Sequence, residues 1–221
     1  MRTLRRVLLG MLAGGVLLGQ GLTGSSASAD STHPGQVKIV PSPRVYGQTR
    51  GELMTQLWTY WYQRQIGDPN PECFSIGKND KVLIGQHDST CTIKLGRPVQ
   101  EFWSNSCDTK SPPPSYAVTE AAQRRCARQG LNQDTDYVKV AVDGLPATTI
   151  STRRFEVISA QFSFVSPVNN EFGYEPGPGT ASADSWVAMI YLPVGHHVLR
   201  LLVKRAGHDE FAITKTVDVV D

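Results

Sequence analysis

The sequence predicts a mainly β protein: an antiparallel sandwich of the immunoglobulin-like or jelly-roll type, with two short helices packed on it and two disulfides. From Asp136 onward, short apolar runs with strand-like alternation are separated by turn residues, as in β-sandwiches. Four cysteines follow an export-type N-terminus, and an even number in an exported chain favours disulfides. We treat residues 43–221 as one domain, with a cysteine-rich helical half (43–130) and a β half (136–221).

Residues 1–29 have the features of a signal peptide. Arg2, Arg5 and Arg6 precede an apolar run, and Ala27-Ser28-Ala29 matches a cleavage site. We expect cleavage after Ala29, secretion of the remainder, and no stable membrane insertion, because no second apolar segment follows. Residues 30–42 are polar and contain prolines, which predicts a flexible leader.

The charge balance argues against a nucleic-acid partner. The chain has 22 Lys+Arg and 20 Asp+Glu, and three arginines lie in the predicted signal peptide. The mature chain would therefore be close to neutral. It contains no long basic run, so that binding of nucleic acid has little support.

The stretch 46–66 predicts a helix that lies on a sheet. Thr49 and Glu52 have the spacing of a capping box, and the turn cluster 67–71 ends the segment. At helical spacing, one face carries apolar and aromatic side chains: Leu53, Met54, Leu57, Trp58, Tyr60 and Trp61. We expect Trp58 and Trp61 to belong to the core.

The cysteines allow three pairings, of which we favour Cys73–Cys91 with Cys107–Cys126, because sequential pairs close short, turn-rich loops. A four-cysteine zinc site would need closely spaced pairs, and none is present. We therefore expect no metal and no cofactor.

The remaining elements follow from apolar runs and turn residues. We predict strands near 81–84, 92–95 and 99–103, a loop from Ser104, and a second helix over 120–128 that Gly130 ends. The β half has predicted strands at 137–142, 155–165, 185–192, 197–204 and 211–219, and a long loop over 167–183.

A family resemblance supports export. Tyr46-Gly47, Glu52, Trp58 and Trp61, followed by Gly85-Gln86, Asn105-x-Cys107, Val142-Asp143-Gly144 and Gly195-His196-His197, resemble uncharacterised secreted proteins of actinobacteria and other bacteria. Those proteins open with a Y-G-x-x-x-x-E-W-x-x-x-W-W-x-W helix. This chain departs from the pattern at Leu53, where they usually have Trp, and at Tyr60. The resemblance implies a common fold and supplies no catalytic residue.

Motifs of nucleophilic catalysis are absent from the sequence. His196 and His197 enter a strand, so that one should face inward and one outward, which suits a structural role better than a shared metal. Glu101 beside Phe102 and Trp103 is the one acid in an aromatic setting. It would be the proton donor of a secreted glycan hydrolase, or otherwise an edge-strand glutamate that points to water.

Aromatic residues in loops are the stronger functional signal, because flat rings stack on sugars. The candidate binding residues are Trp103, Asn105, Tyr116, Phe172 and Tyr174. We expect a secreted, non-enzymatic binding or envelope-associated protein whose partner is a polysaccharide or cell-wall component. The alternatives are the hydrolase that uses Glu101 and a structural partner of another secreted protein.

Overall fold

The computed structural model describes residues 36–68, 71–85 and 88–221. Two helices lie within these ranges, α1 (Arg50–Tyr62) and α2 (Glu120–Gln133). The strands of the same ranges are β1 (Lys38–Val40), β2 (Arg44–Val45), β3 (Gln48–Thr49), β4 (Cys73–Ile76), β5 (Val82–Gly85), β6 (Thr90–Lys94), β7 (Val99–Asp108), β8 (Thr135–Val142), β9 (Thr148–Thr149), β10 (Glu156–Ile158), β11 (Phe162–Ser166), β12 (Gly177–Tyr191), β13 (Gly195–Arg205) and β14 (Glu210–Val220).

The strands form two main sheets. The larger has the order β1-β12-β7-β5-β4, with β10 and β11 also paired to β12, and the smaller has the order β6-β14-β13-β8-β9. Most pairs are antiparallel, but β6 pairs with β14 and β5 pairs with β7 in parallel. The predicted mainly β architecture with two helices and two disulfides is confirmed.

The main core lies between the two sheets. Alternate residues of β7 and β12 point to it, among them Val99, Ala188 and Ile190, and meet apolar side chains of β8, β13 and β14. The buried members from β8, β13 and β14 are Val138, Val140, Val142, Leu199, Leu201, Val203, Val217 and Val219. Burial of each such side chain contributes about 1.5–3 kcal/mol relative to exposure.

Helix α1 covers the outer face of the larger sheet. The predicted capping box is present: Glu52 N donates to Thr49 Oγ1 at 3.2 Å, and Thr49 N donates to Glu52 Oε2 at 2.6 Å. Leu53, Met54 and Leu57 pack in a second core against the outward-facing residues of β12. The helix ends at Tyr62, before the predicted turn cluster.

Both predicted disulfides are confirmed. Cys73–Cys91 connects β4 in the larger sheet with β6 in the smaller one, across a Cα–Cα distance of 5.7 Å. Cys107–Cys126 connects β7 with α2. The bridges therefore tie together layers that meet only through tertiary packing.

Several element boundaries differ from the sequence-based expectation. The predicted loop at Ser104 is wrong, because β7 continues to Asp108 in register with β12, from Val99↔Ile190 to Asp108↔Ala181. The loop predicted over 167–183 is shorter than expected, because β12 already begins at Gly177. The run 155–165 is divided between β10 and β11.

Helix α2 passes through Gly130, the residue expected to end it, and continues to Gln133. A Cβ at Gly130 would overlap the side-chain amide of Asn105, so this glycine permits close packing of the helix on β7. Gly130 therefore allows the backbone of α2 to approach the side chain of Asn105, and it does not form a C-terminal cap.

Part of the segment predicted as a leader belongs to the sheet, because Lys38–Val40 pairs with Met189–Tyr191 of β12. The predicted signal peptide lies outside the described residues. None of the helices in the described part of the chain is long and apolar enough to cross a membrane. Two disulfides are typical of oxidising compartments outside the cytoplasm.

Candidate functional site

The candidate site lies along the edge of β7 that faces away from β12. At this edge β5 pairs with β7 through a single residue pair, Leu83↔Val99. Beyond that pair β5 diverges from β7, and a cleft lies between the two sheets and α1. The edge of a strand therefore lies beside an opening into the interior of the sandwich.

We call this opening the aromatic cleft. Its volume is about 380 Å³, within the range typical of ligand pockets. The lining residues come from α1, β5, β7, β13, β14 and the loop after β11: Leu57, Trp58, Trp61, Gly85, Glu101, Phe102, Trp103, Ser104, Phe172, Leu201, Ile213 and Lys215. Three of the four tryptophans of the chain line it, whereas Trp186 lies in the core.

Alternation along β7 divides the cleft into two walls. Phe102 and Ser104 face α1, and Glu101 and Trp103 face the space between the sheets. The α1 wall is mainly aromatic, since Trp58, Trp61 and Phe172 join Phe102. The opposite wall combines Trp103 with aliphatic side chains of the smaller sheet.

The indole rings of the cleft are held in place by hydrogen bonds. Trp58 Nε1 donates to Ser104 Oγ at 2.9 Å, and Trp103 Nε1 donates to Thr135 Oγ1 at 3.0 Å. The guanidinium carbon of Arg64 lies 5.2 Å from the centre of the Trp61 ring, a cation–π distance. Rings fixed in this way present their faces without losing rotamer freedom on binding.

A buried ion pair closes the inner end of the cleft. Lys215 Nζ lies 2.9 Å from Glu101 Oε1 and donates to Gly85 O at 2.8 Å. Both charged side chains are buried between the sheets. The expectation that Glu101 points to water is therefore wrong: β7 is covered by the smaller sheet on that face, and Lys215 neutralises the carboxylate.

The outer end of the cleft is formed by an aromatic stack. Phe172 is 40% exposed and stacks on Tyr174 with 5.4 Å between ring centres. The Tyr174 hydroxyl donates to Asp108 Oδ2 at 3.1 Å, and Tyr62 donates to the same oxygen at 3.0 Å. Burial raises the pKa of Tyr174 to about 12, and the nearby Asp108 carboxylate adds to this effect. Tyr174 therefore acts as a neutral hydrogen-bond donor that positions Phe172.

The structure brings together only some of the predicted binding residues. Trp103 and Phe172 line the aromatic cleft, and Tyr174 supports Phe172 from behind. Asn105 instead faces α2 and donates to Ala127 O at 3.3 Å. Tyr116 is 50% exposed and lies outside the cleft, where its segment pairs with Asp108.

Sequence reasoning missed several residues of the cleft. Trp58 and Trp61 were expected in the core; both are half-buried and pack on it with one side, while the other side lines the cleft. Ile213 and Lys215 carried no functional signal, because a lysine in an alternating strand usually points to solvent. Their alternation with Val217 would have placed both side chains on the inner face.

The histidine pair has the predicted inward and outward orientations. His197 is buried and its two ring nitrogens lie 2.7 Å from Asp143 Oδ2 and 2.9 Å from Pro193 O, whereas His196 is exposed beside Asp218. Burial acts to raise the pKa of Asp143, but the hydrogen bonds to His197 and the Val198 amide, together with the electrostatic effect of the two histidines, lower it overall. Across the described residues, no group of three or more His, Cys, Asp or Glu side chains could hold a metal ion.

Comparisons with known proteins do not assign this site. No protein-family model matches the chain, and no curated protein matches it. The solution structure of Amebosin is similar over 63% of this chain and 96% of that chain, with 13% sequence identity and a TM-score of 0.24. A TM-score this low carries no argument about the fold or the function.

Proposed function

We propose that this is a secreted binding protein and that the aromatic cleft holds its ligand. One observation carries the proposal: five aromatic side chains from three parts of the fold, α1, β7 and the loop after β11, converge on a single opening, namely Trp58, Trp61, Phe102, Trp103 and Phe172. Fixed aromatic faces that are partly exposed contribute large contact areas at low entropic cost, and such residues dominate binding energies.

Binding is better supported than hydrolysis of glycans. Hydrolases of that kind use two carboxyl groups about 5–9.5 Å apart, and Glu101 is the only acid among the described residues that line the cleft. Its carboxylate is also engaged by Lys215. The pair therefore supports the packing of the two sheets rather than proton transfer to a leaving group.

Tryptophan fluorescence tests the proposal directly, because Trp58, Trp61 and Trp103 line the cleft. The purified protein would be titrated with soluble oligosaccharides of chitin, cellulose and xylan, with peptidoglycan fragments, and with peptides selected from a random phage-displayed library. We expect one of these probes to change the emission saturably.

Two exposed aromatic residues provide a matched pair of variants. Phe172→Ala removes part of the cleft and should weaken binding roughly tenfold, which corresponds to about 1.4 kcal/mol. Tyr116→Ala removes an aromatic ring of similar exposure outside the cleft and should leave the affinity unchanged. No saturable change with any probe, or equal weakening by both variants, would refute the cleft as the binding site.

A further inference from the structure

The main-chain orientation of β7 follows from the bonds at its two ends. At one end Asp108 N donates to Ser115 O at 3.1 Å, and Asp108 O accepts from Ala117 N at 2.9 Å. At the other end Pro98 O accepts from Leu83 N at 3.1 Å. These bonds lie on the side away from β12. Since the direction of main-chain groups alternates along a strand, every even-numbered residue of β7 presents its N–H and C=O to that side.

Three of these residues, Phe102, Ser104 and Ser106, lie between the bonded ends. Their main-chain N–H and C=O groups have no hydrogen-bond partner among the described residues. The stretch from the first to the last spans about 14 Å, at about 3.4 Å per residue. A row of unpaired donors and acceptors at this spacing is a template for another strand.

The sequence of this open edge lacks the usual protection against strand addition. Edge strands are commonly protected by charged side chains, especially lysine, or by proline. Residues 102–106 read Phe-Trp-Ser-Asn-Ser and contain none of these. Near Phe102 and Ser104 the edge is also flanked by the two walls of the cleft, so that this part of an added strand would be enclosed on both faces.

The geometry points to an extended segment of a partner polypeptide, about five residues long and apolar, that binds as an additional strand on β7. This inference rests on the proposed binding function and names its ligand class. Side chains of the added strand would alternate between the Trp58–Trp61–Phe172 wall and the Trp103–Ile213 wall, which both favour apolar groups. A sugar polymer stacks on aromatic faces but offers no matching series of main-chain donors and acceptors.

Backbone methylation of a bound peptide tests strand addition. A peptide selected on the protein from a random phage-displayed library would be synthesised with a single N-methyl group at each position in turn. Methylation of every second residue, those whose N–H faces β7, should weaken binding by tenfold or more, and methylation of the intervening residues should change it little. Phe172→Ala should weaken binding of the unmethylated peptide, and Tyr116→Ala should not.

Amide hydrogen exchange measured by NMR gives an independent readout. In the free protein, the amides of Phe102, Ser104 and Ser106 should exchange faster than those of Trp103 and Asn105, which face β12. Addition of the peptide should slow the first group selectively.

Four outcomes would overturn the proposal. They are the absence of any peptide that binds, methylation effects without alternation, unchanged exchange of the three amides on binding, and a dimer of the free protein with those amides already protected. The last result would identify a second copy of this chain as the occupant. Saturable binding of an oligosaccharide that Phe172→Ala weakens, without peptide binding, would refute strand addition and leave the proposed binding function intact.

Discussion

The side-chain amide of Asn105 on β7 lies directly beneath Gly130 of α2 and donates to the Ala127 carbonyl oxygen at 3.3 Å. The helix can lie this close to the strand only because residue 130 has no Cβ. The same helix is held to β7 by Cys107–Cys126. Packing and a covalent bond thus fix α2 on the part of β7 that follows the aromatic cleft.

We expect Gly130→Ala to destabilise the protein by about 1–3 kcal/mol, because the new methyl group would displace Asn105 from its bond to Ala127 O. This loss exceeds the gain in helix propensity, which is about 1 kcal/mol. Urea denaturation would measure the effect. In the Asn105→Ala variant, Gly130→Ala should lower the free energy of unfolding little, or even raise it. An undiminished loss in that variant would contradict the proposed contact between Gly130 and Asn105.

Removal of one member of the Glu101–Lys215 pair should be costly, because the other charge would remain buried between the sheets. We expect Glu101→Gln to lower the free energy of unfolding by about 3–5 kcal/mol. The double variant Glu101→Leu/Lys215→Met should be more stable than either single variant, since no unpaired charge is left. If the free-energy losses of Glu101→Leu and Lys215→Met add up to the loss of the double variant, the two charges do not interact.

The pH dependence of stability should include a contribution from Asp184. This carboxylate is fully buried, with Oδ2 3.1 Å from Arg128 Nε, and burial and the charge of Glu156 raise its pKa to about 6, against 3.8 for an ordinary aspartate. Because the folded state holds this proton more tightly than the unfolded state, the contribution favours folding at low pH and is lost as pH rises from about 4 to about 6.

Asp184→Asn should remove this dependence. Relative to the wild type, the melting temperature of the variant should rise between pH 4 and pH 7, because asparagine carries no charge to bury. Asp209→Asn, on an exposed turn, serves as the control and should keep a constant difference. A constant difference for Asp184→Asn as well would contradict the raised pKa.

The N-terminus of α1 offers a test of local structure. Thr49→Ala removes the side-chain acceptor for Glu52 N and should cost about 1 kcal/mol in thermal or urea unfolding. Thr49→Ser keeps the hydroxyl and should retain most of the stability. Equal losses in the two variants would assign the effect to packing of the threonine methyl group instead of capping.

Local patterns were sufficient for the features that depend on neighbours in sequence. The capping box of Thr49 and Glu52 involves residues three positions apart, and the strand of Val138, Val140 and Val142 follows from alternation. The pairing of Cys73 with Cys91 also follows local reasoning, since the closed loop is short. In each case the pattern that predicts the feature lies within a short stretch of chain, although the disulfide and the strand pairing also need tertiary packing.

Tertiary structure decided the features that depend on distant partners. Residues 104–108 have the composition of a loop, but hydrogen bonds to β12, more than 70 residues away, hold them in β7. Gly130 remains helical because α2 packs on Asn105, and Glu101 is buried because Lys215 from β14 neutralises it. The aromatic cleft joins residues of α1, β7 and β14, which meet only after the two sheets have packed. Sequence alone determined the mainly β class, the capped start of α1 and the disulfide pairs, whereas several element boundaries and the site depend on long-range contacts that no local pattern encodes.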